Sequence, residues 1–331
     1  MLRYSGAFSS VIKDIKYHQV KRITGINDDE PDVPNDETDE QGLKPSPTLE
    51  RHAQEMKAQQ DRMTEVDEME DKVATNLARI QHKIAIISGK GGVGKTTVAC
   101  NLALKLAEAG NSTGALDVDI TGPTMPKLLG ITDRPEVDPE TKAIYPVNGP
   151  LNVKVMSMAF LLDNDYTPVI WRGPMKMGIV REFLGAVAWG DLDYLVIDLP
   201  PGTGDETLDI MQLVKPLDGV VVVSTSQELS LISVAKTINM AKKLEVKVLG
   251  VIENMSVFRC KECGHEQQVF GTPYGVKNLA DELDVPFLGA IPFDPDLVQQ
   301  VANRTPLVAQ DEDSPAKEAF NAIYEALQAQ L

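Results

Sequence analysis

Residues 89–96, Gly-Lys-Gly-Gly-Val-Gly-Lys-Thr, fit the phosphate-loop pattern G-x-x-x-x-G-K-[ST]. That pattern works in one local context only: a buried strand that runs into a glycine loop, which in turn opens a helix. The context is present. Residues 83–88 (KIAIIS) read as a short apolar strand, and residues 97–109 (TVACNLALKLAEA) carry apolar side chains at helical spacing up to Gly110. Glycines let backbone N–H groups turn toward phosphate oxygens, and the helix N-terminus adds about half a positive charge aimed at the same anion. The nucleotide contacts expected here are Gly89, Lys90, Gly91, Gly92, Val93, Gly94, Lys95, Thr96 and Thr97. Lys95 belongs on the β and γ phosphates and the Thr96 hydroxyl on Mg²⁺.

After this unit, apolar runs at 112–116, 151–156, 194–197, 220–223, 246–252 and 287–291 alternate with helical stretches such as 231–244. Several of the runs are continuously apolar, as strands of a parallel sheet covered on both faces must be, and the crossovers are long enough for helices. The predicted fold is α/β: a doubly wound, mostly parallel sheet of the P-loop NTPase kind, with ligands beyond the carboxyl ends of its strands. Acids fall at those ends. Tyr194-Leu195-Val196-Ile197-Asp198 is an apolar strand closing on a carboxylate suited to Mg²⁺, usually through water, and the loop behind it brings the Gly202 N–H toward the γ-phosphate. Asp117 and Asp119 end the second predicted strand; Asp119 is the candidate to position the attacking water, Asp117 to hold or support Mg²⁺. Capping of a turn is the alternative role for each.

The chain has 331 residues, a formal net charge of −17 and 43% hydrophobic residues, ordinary for a packed α/β protein. An acidic surface is repelled by phosphate backbones, which argues against nucleic acid as a partner. No apolar run approaches the roughly 20 residues that span a bilayer, and no secretory segment is apparent, so no membrane partner and a cytoplasmic location are expected. Acid concentrates between Asp28 and Asp71, with prolines and few large apolar residues before Val73. Residues 1–80 therefore read as an acidic extension, largely disordered or a solvated helix, with Met63 a plausible native start, and residues 81–331 as the ATPase domain.

The cysteines are Cys100, Cys260 and Cys263, too few for a disulfide framework. Cys100 sits on the apolar face of the predicted phosphate-loop helix and reads as core. Cys260-Lys261-Glu262-Cys263-Gly264-His265 has knuckle spacing, in which two thiolates converge on one soft metal. Two ligands leave such a site half built; a symmetric dimer supplies the other two, and four thiolates suit a 4Fe-4S cluster or Zn²⁺. A redox dithiol or an unliganded pair is the third reading, and His265 is assigned a supporting or solvent role.

Together, residues 86–97, Asp117-Val118-Asp119-Ile120-Thr121-Gly122-Pro123, Trp171-Arg172-Gly173-Pro174-Met175, residues 198–205 and Glu253-Asn254-Met255-Ser256 resemble the deviant Walker A ATPases. Within that class the chain is most similar to the Mrp/ApbC-type (Mrp/Nbp) iron-sulfur cluster carriers, over roughly residues 82–307. The resemblance implies a homodimer in which Lys90 reaches the partner's nucleotide and a 4Fe-4S cluster bridges the two subunits through Cys260 and Cys263. It also implies slow ATP hydrolysis, apo iron-sulfur proteins as recipients, Asn254 facing the adenine, and Pro292 and Asp294 near the base. Unlike some members, this chain has no cysteine before the ATPase region. A MinD/ParA-like spatial regulator and a zinc-stapled ATP-binding scaffold are the alternatives. The regulator is disfavoured because the C-terminal tail, 318–331, lacks the basic residues an anionic membrane would attract.

Overall fold

The computed structural model describes residues 56–57, 64, 66–120, 122–162, 173–260, 263–294, 306, 308 and 314–331. Most of the acidic stretch at 28–71 lies outside the described residues, as do Thr121, Trp171 and Arg172. A helix over residues 66–77, α1, leads into β1 (Ile80–Ser88), α2 (Lys95–Glu108), β2 (Thr113–Asp117) and the single turn α3 (Met125–Leu128). Next come β3 (Glu136–Val137), β4 (Ile144–Tyr145), β5 (Val147–Asn148), β6 (Lys154–Ser157) and α4 (Gly173–Gly185). β7 (Leu192–Asp198), α5 (Asp205–Leu213), β8 (Gly219–Ser224), α6 (Glu228–Lys243) and β9 (Val248–Glu253) complete the central layer. The chain ends with β10 (Val257–Arg259), β11 (Glu266–Gln268), α7 (Gly275–Glu282), β12 (Phe287–Ala290) and α8 (Pro315–Gln328).

Eight strands form one sheet in the order β12-β9-β8-β1-β7-β2-β6-β5, parallel except for β5, which pairs antiparallel with β6 at the edge. The continuously apolar runs are the central strands: every residue of β8 and β9 is buried, as a sheet with helices on both faces requires. α2 packs on β1, β2 and β7, α6 on β8, α7 on β9, and α8 on β12 and α2. α8 shows why this sequence makes a helix. Ser314 caps it through its hydroxyl, which accepts from Lys317 N at 3.1 Å, Pro315 occupies the first turn, and Ala316, Phe320, Ile323 and Leu327 make one buried stripe.

Helix α1 docks through its last turns, with Val73 and Leu77 in the core. The Asn76 amide donates to the carbonyls of Leu184 (2.7 Å) and Val187 (2.8 Å), satisfying acceptors left open where α4 ends. One predicted strand is shorter than expected. The run at 151–156 pairs only from Lys154, because Pro150 has no N–H to offer and Leu151 and Asn152 turn through positive φ (54° and 60°). Among the described residues no helix is long and apolar enough to cross a membrane.

Candidate functional site: a phosphate loop beside a cysteine hairpin

β1 lies between β8 and β7, so the loop that follows it opens at the middle of the sheet's carboxyl edge. Gly94 caps α2 at φ 81°, and a Cβ there would sit 2.2 Å from the Asn254 amide nitrogen; no other residue type fits. Around Gly91 and Gly92 an added Cβ meets nothing within 4 Å, so the loop faces open space where phosphate would lie. The Gly202 N–H, expected on the γ-phosphate, donates instead to Ser88 O at 2.8 Å and docks the 200–204 loop onto the end of β1. An N–H spent on Ser88 is not available to an anion.

Strand pairing brings the acids together. Asp117 and Asp198 are direct register partners on β2 and β7, and both are fully buried. Lys95, 6% exposed, donates to Asp198 Oδ1 at 2.6 Å and lies 3.8 Å from Asp119 Oδ2, while the Thr96 hydroxyl donates to Asp198 Oδ2 at 2.6 Å. Burial drives the Asp198 pKa up, with the Lys95 ammonium and the Thr96 hydroxyl pulling it back. Burial and the neighbouring Asp198 charge push the Asp117 pKa to about 7. Both Asp117 oxygens are already engaged: Oδ1 accepts from Asp119 N (3.1 Å), and Oδ2 accepts from Ser157 Oγ (2.8 Å) and Met125 N (3.2 Å). Asp117 thus ties down the loop that carries Asp119, whose own Oδ1 accepts from Gly122 N at 3.3 Å.

Asn254 is buried at the end of β9, its N–H on Ser224 O (2.7 Å) and its amide donating to Val93 O at 2.9 Å, so its side chain lies on the phosphate loop. Asp294 is buried and Pro292 half-buried just after β12, the edge strand beside β9. Thr97 follows in the first turn of α2, its carbonyl accepting from the Asn101 amide at 2.9 Å. Sequence reasoning missed Gln227 altogether and named Glu253 only within a motif, without a role. Gln227, just ahead of α6, accepts from Lys90 Nζ at 3.0 Å. Glu253, buried at the end of β9, accepts from Ser226 Oγ at 2.5 Å, and burial raises its pKa against the pull of that hydroxyl. Glu253 had a visible signal, an apolar run closing on an acid like that of Asp198. Gln227 had none.

The cysteines occupy the tip of a ribbon. β10 and β11 pair antiparallel, Cys260 N donates to His265 O (2.9 Å), and Gly264 N turns back to Cys260 O (2.8 Å) at φ 69°. Cys260 is half-buried, and Cys263 and His265 are exposed. At the base, Phe293 contacts Phe258 and Phe270, with ring centroids 6.5 and 6.2 Å apart. Cys100 is 1% exposed in α2, where burial lifts its thiol pKa well above the ordinary value, the reverse of what a reactive or ligating thiol needs. Among the described residues no group of three or more His, Cys, Asp or Glu side chains converges on a metal position.

A family model, the NUBPL iron-transfer P-loop NTPase (ParA), matches residues 79–328. The iron-sulfur cluster carrier protein of Saccharolobus solfataricus is 42% identical over 276 residues, covering 83% of this chain and 92% of that one. That of Methanocaldococcus jannaschii is 47% identical over 253 residues, with 76% and 86% covered. Among solved structures, the nucleotide-binding protein of Archaeoglobus fulgidus, in complex with ADP and with Co found in it, matches at 41% identity and TM-score 0.65. The match covers 74% of this chain and 95% of that one. The cell-division ATPase MinD of Pyrococcus furiosus, at 22% identity and TM-score 0.56 over 76% of this chain and 99% of that one, shares the fold. The family model spans the phosphate loop, the acid-ended strands and the cysteine ribbon alike, and the relatives match over most of their length: the chain is a member of the NUBPL iron-transfer P-loop NTPase family.

Proposed function

We propose that this protein is an ATP-dependent iron-sulfur cluster carrier that works as a homodimer in the cytoplasm and passes 4Fe-4S clusters to apo-proteins. The observation that carries the reading is that a complete phosphate-loop set and a pair of cysteines, one half-buried and one exposed, share one edge of the sheet. The residues present suit MgATP: an open glycine loop at a helix N-terminus, a buried lysine, and a hydroxyl and a carboxylate converging within 2.6 Å. Thr96 and Asp198 would hold Mg²⁺, which when bound neutralises charge on the β and γ phosphates. Lys95 exchanges its contact with Asp198 for the phosphates. Asp119, 7% exposed and fixed from below by Asp117, orients the attacking water, and Lys90 reaches the partner's nucleotide. Catalysis on this account is slow and rests on positioning and electrostatics. Asn254, Pro292 and Asp294 line the side of the pocket where the base belongs.

The cluster is cargo. Each chain carries half-buried Cys260 and exposed Cys263 at the end of the ribbon, so two chains about a twofold axis supply four thiolates, and the exposure of Cys263 suits release to a recipient. Anaerobic reconstitution tests the reading: wild type should hold about four irons per dimer with thiolate-to-iron charge-transfer absorbance. Cys260→Ala and Cys263→Ala should each lose it. Stoichiometric zinc without iron in natively purified protein refutes the carrier function in favour of a zinc-stapled scaffold; a cluster retained by the double variant overturns the shared four-thiolate site.

A further inference from the structure

Both feet of the cysteine ribbon stand on groups that touch the phosphate loop. The first foot is Asn254, three residues before β10, whose amide donates to Val93 O at 2.9 Å. The second is Gly271, which follows β11 at φ 64°. A Cβ on Gly271 would lie 1.6 Å from Ser226 O, 2.1 Å from Ser226 C and 2.8 Å from Gln227 N, so the returning arm rests directly on the 226–227 peptide without a gap. Ser226 is in turn bound to Glu253, next to the first foot, at 2.5 Å. The side chain on that shared peptide is Gln227, and it holds Lys90 of the phosphate loop at 3.0 Å. Three-residue strands are too short to fix their own orientation, so the ribbon's direction is set by its feet together with Phe293, whose N–H donates to Val257 O at 2.8 Å.

We propose that Gln227 is the positioning residue through which nucleotide occupancy reaches Cys260 and Cys263, an inference that rests on the carrier function above. Gln227 offers Lys90 a neutral amide oxygen, whereas a phosphate offers a charged one, and charge-assisted bonds of that kind are roughly twice as strong. When nucleotide binds, Lys90 leaves Gln227 for phosphate, whichever subunit the phosphate belongs to. The 226–227 peptide is then released from the phosphate loop, and Gly271, packed against it, carries the ribbon along. Close-packed contacts of this sort shift between discrete arrangements rather than yield gradually.

The test uses cluster-free full-length protein, so iron loading does not enter it. N-ethylmaleimide labelling rates at Cys260 and Cys263 are followed by peptide mass spectrometry, with and without MgATP, with Cys100 as the internal measure of unfolding. Wild type should change rate about threefold or more on adding MgATP. Gln227→Ala should bind MgATP more tightly than wild type, by about tenfold, and show the nucleotide-bound rate already in its absence, because Lys90 is no longer held. Gln227→Glu keeps the acceptor and adds a charge, so it should need about tenfold more MgATP for half the change, the equivalent of about 1.4 kcal/mol. Light scattering on the same samples separates this from pairing, since a nucleotide-free monomer of Gln227→Ala with altered rates cannot owe them to a partner. Wild-type rates that ignore saturating MgATP, or a Gln227→Ala response equal to wild type, overturn the proposal. Failure of the carrier function would instead appear as absent iron in reconstitution, with these labelling rates unaffected.

Discussion

Asp117 makes the nucleotide-free protein sensitive to pH in a direction fixed by its burial. Its pKa in the folded chain is about 7, against about 3.9 for an unfolded aspartate. Between about pH 4 and about pH 7 the native state therefore holds a proton that the unfolded chain has released. Stability falls as pH rises through that window and is flat above it. At about 1.4 kcal/mol per unit of pKa difference, the whole window is worth about 4 kcal/mol, and the part between about pH 5 and about pH 8 about 3 kcal/mol. Asp198, raised by burial in the same way, adds to the slope with the same sign. The lowered carboxylates Asp138, Asp191 and Asp193 have the opposite sign but sit on the surface, where solvent screens them.

Asp117→Asn removes the titration. It also turns an amide N–H₂ toward an obligate donor in either orientation, Asp119 N on one side or Met125 N on the other, at a pH-independent cost of about 1–3 kcal/mol. Urea unfolding in EDTA across this pH range is the assay. With m about 3 kcal/mol/M, the wild-type midpoint should drop by about 1 M between about pH 5 and about pH 8, and the variant's by less than half as much. A variant slope equal to wild type, or a wild-type midpoint that climbs over the range, refutes the account of two carboxylates sharing one buried strand edge.

Lys95→Ala should abolish tight MgATP binding in an equilibrium titration, whereas Lys90→Ala should keep binding within about tenfold and lose turnover, since only Lys95 is locked into the pocket. Asp119→Asn should leave nucleotide bound and slow phosphate release by roughly 10² or more, measured in single-turnover assays. Gly94→Ala should cost about 1–3 kcal/mol in thermal or urea unfolding, because the φ of 81° and the Asn254 amide at 2.2 Å both oppose a Cβ.

The fold was legible because its strands are buried on both faces. Runs such as LVID at 195–198 and GVVVV at 219–223 announce parallel strands without any alternation to interpret, and the glycine loop fixes where the first one ends. Short ribbons gave no such signal: β3, β4 and β5 have two residues each, a single strand period and too few to show a repeat. Strand order was equally silent. Asp117 and Asp198 become neighbours because β7 inserts between β1 and β2, a crossover fixed by long-range packing. The hydrogen bond from Lys90 to Gln227 spans 137 positions and depends on where α6 begins. For Gly202 the motif gave the residue and the loop, but which way the N–H turned depended on Ser88 at the end of a different strand.

The two lysines of the phosphate loop are held by partners of different kinds, and this divides their work. Lys95 is 6% exposed, paired at 2.6 Å with a fully buried carboxylate and flanked by a second at 3.8 Å. Breaking such a pair without replacing the cation costs about 3–5 kcal/mol, so Lys95 moves only when charge is exchanged for charge. Lys90 is half-buried and bound to one neutral amide, a contact worth about 1.5–3 kcal/mol before any competing acceptor arrives. A phosphate oxygen outbids an amide for an ammonium, so of the two cations Lys90 is the one poised to leave. The additional lysine after the first glycine thus supplies a contact weak enough to be surrendered to nucleotide, set on a peptide against which the cysteine ribbon is packed.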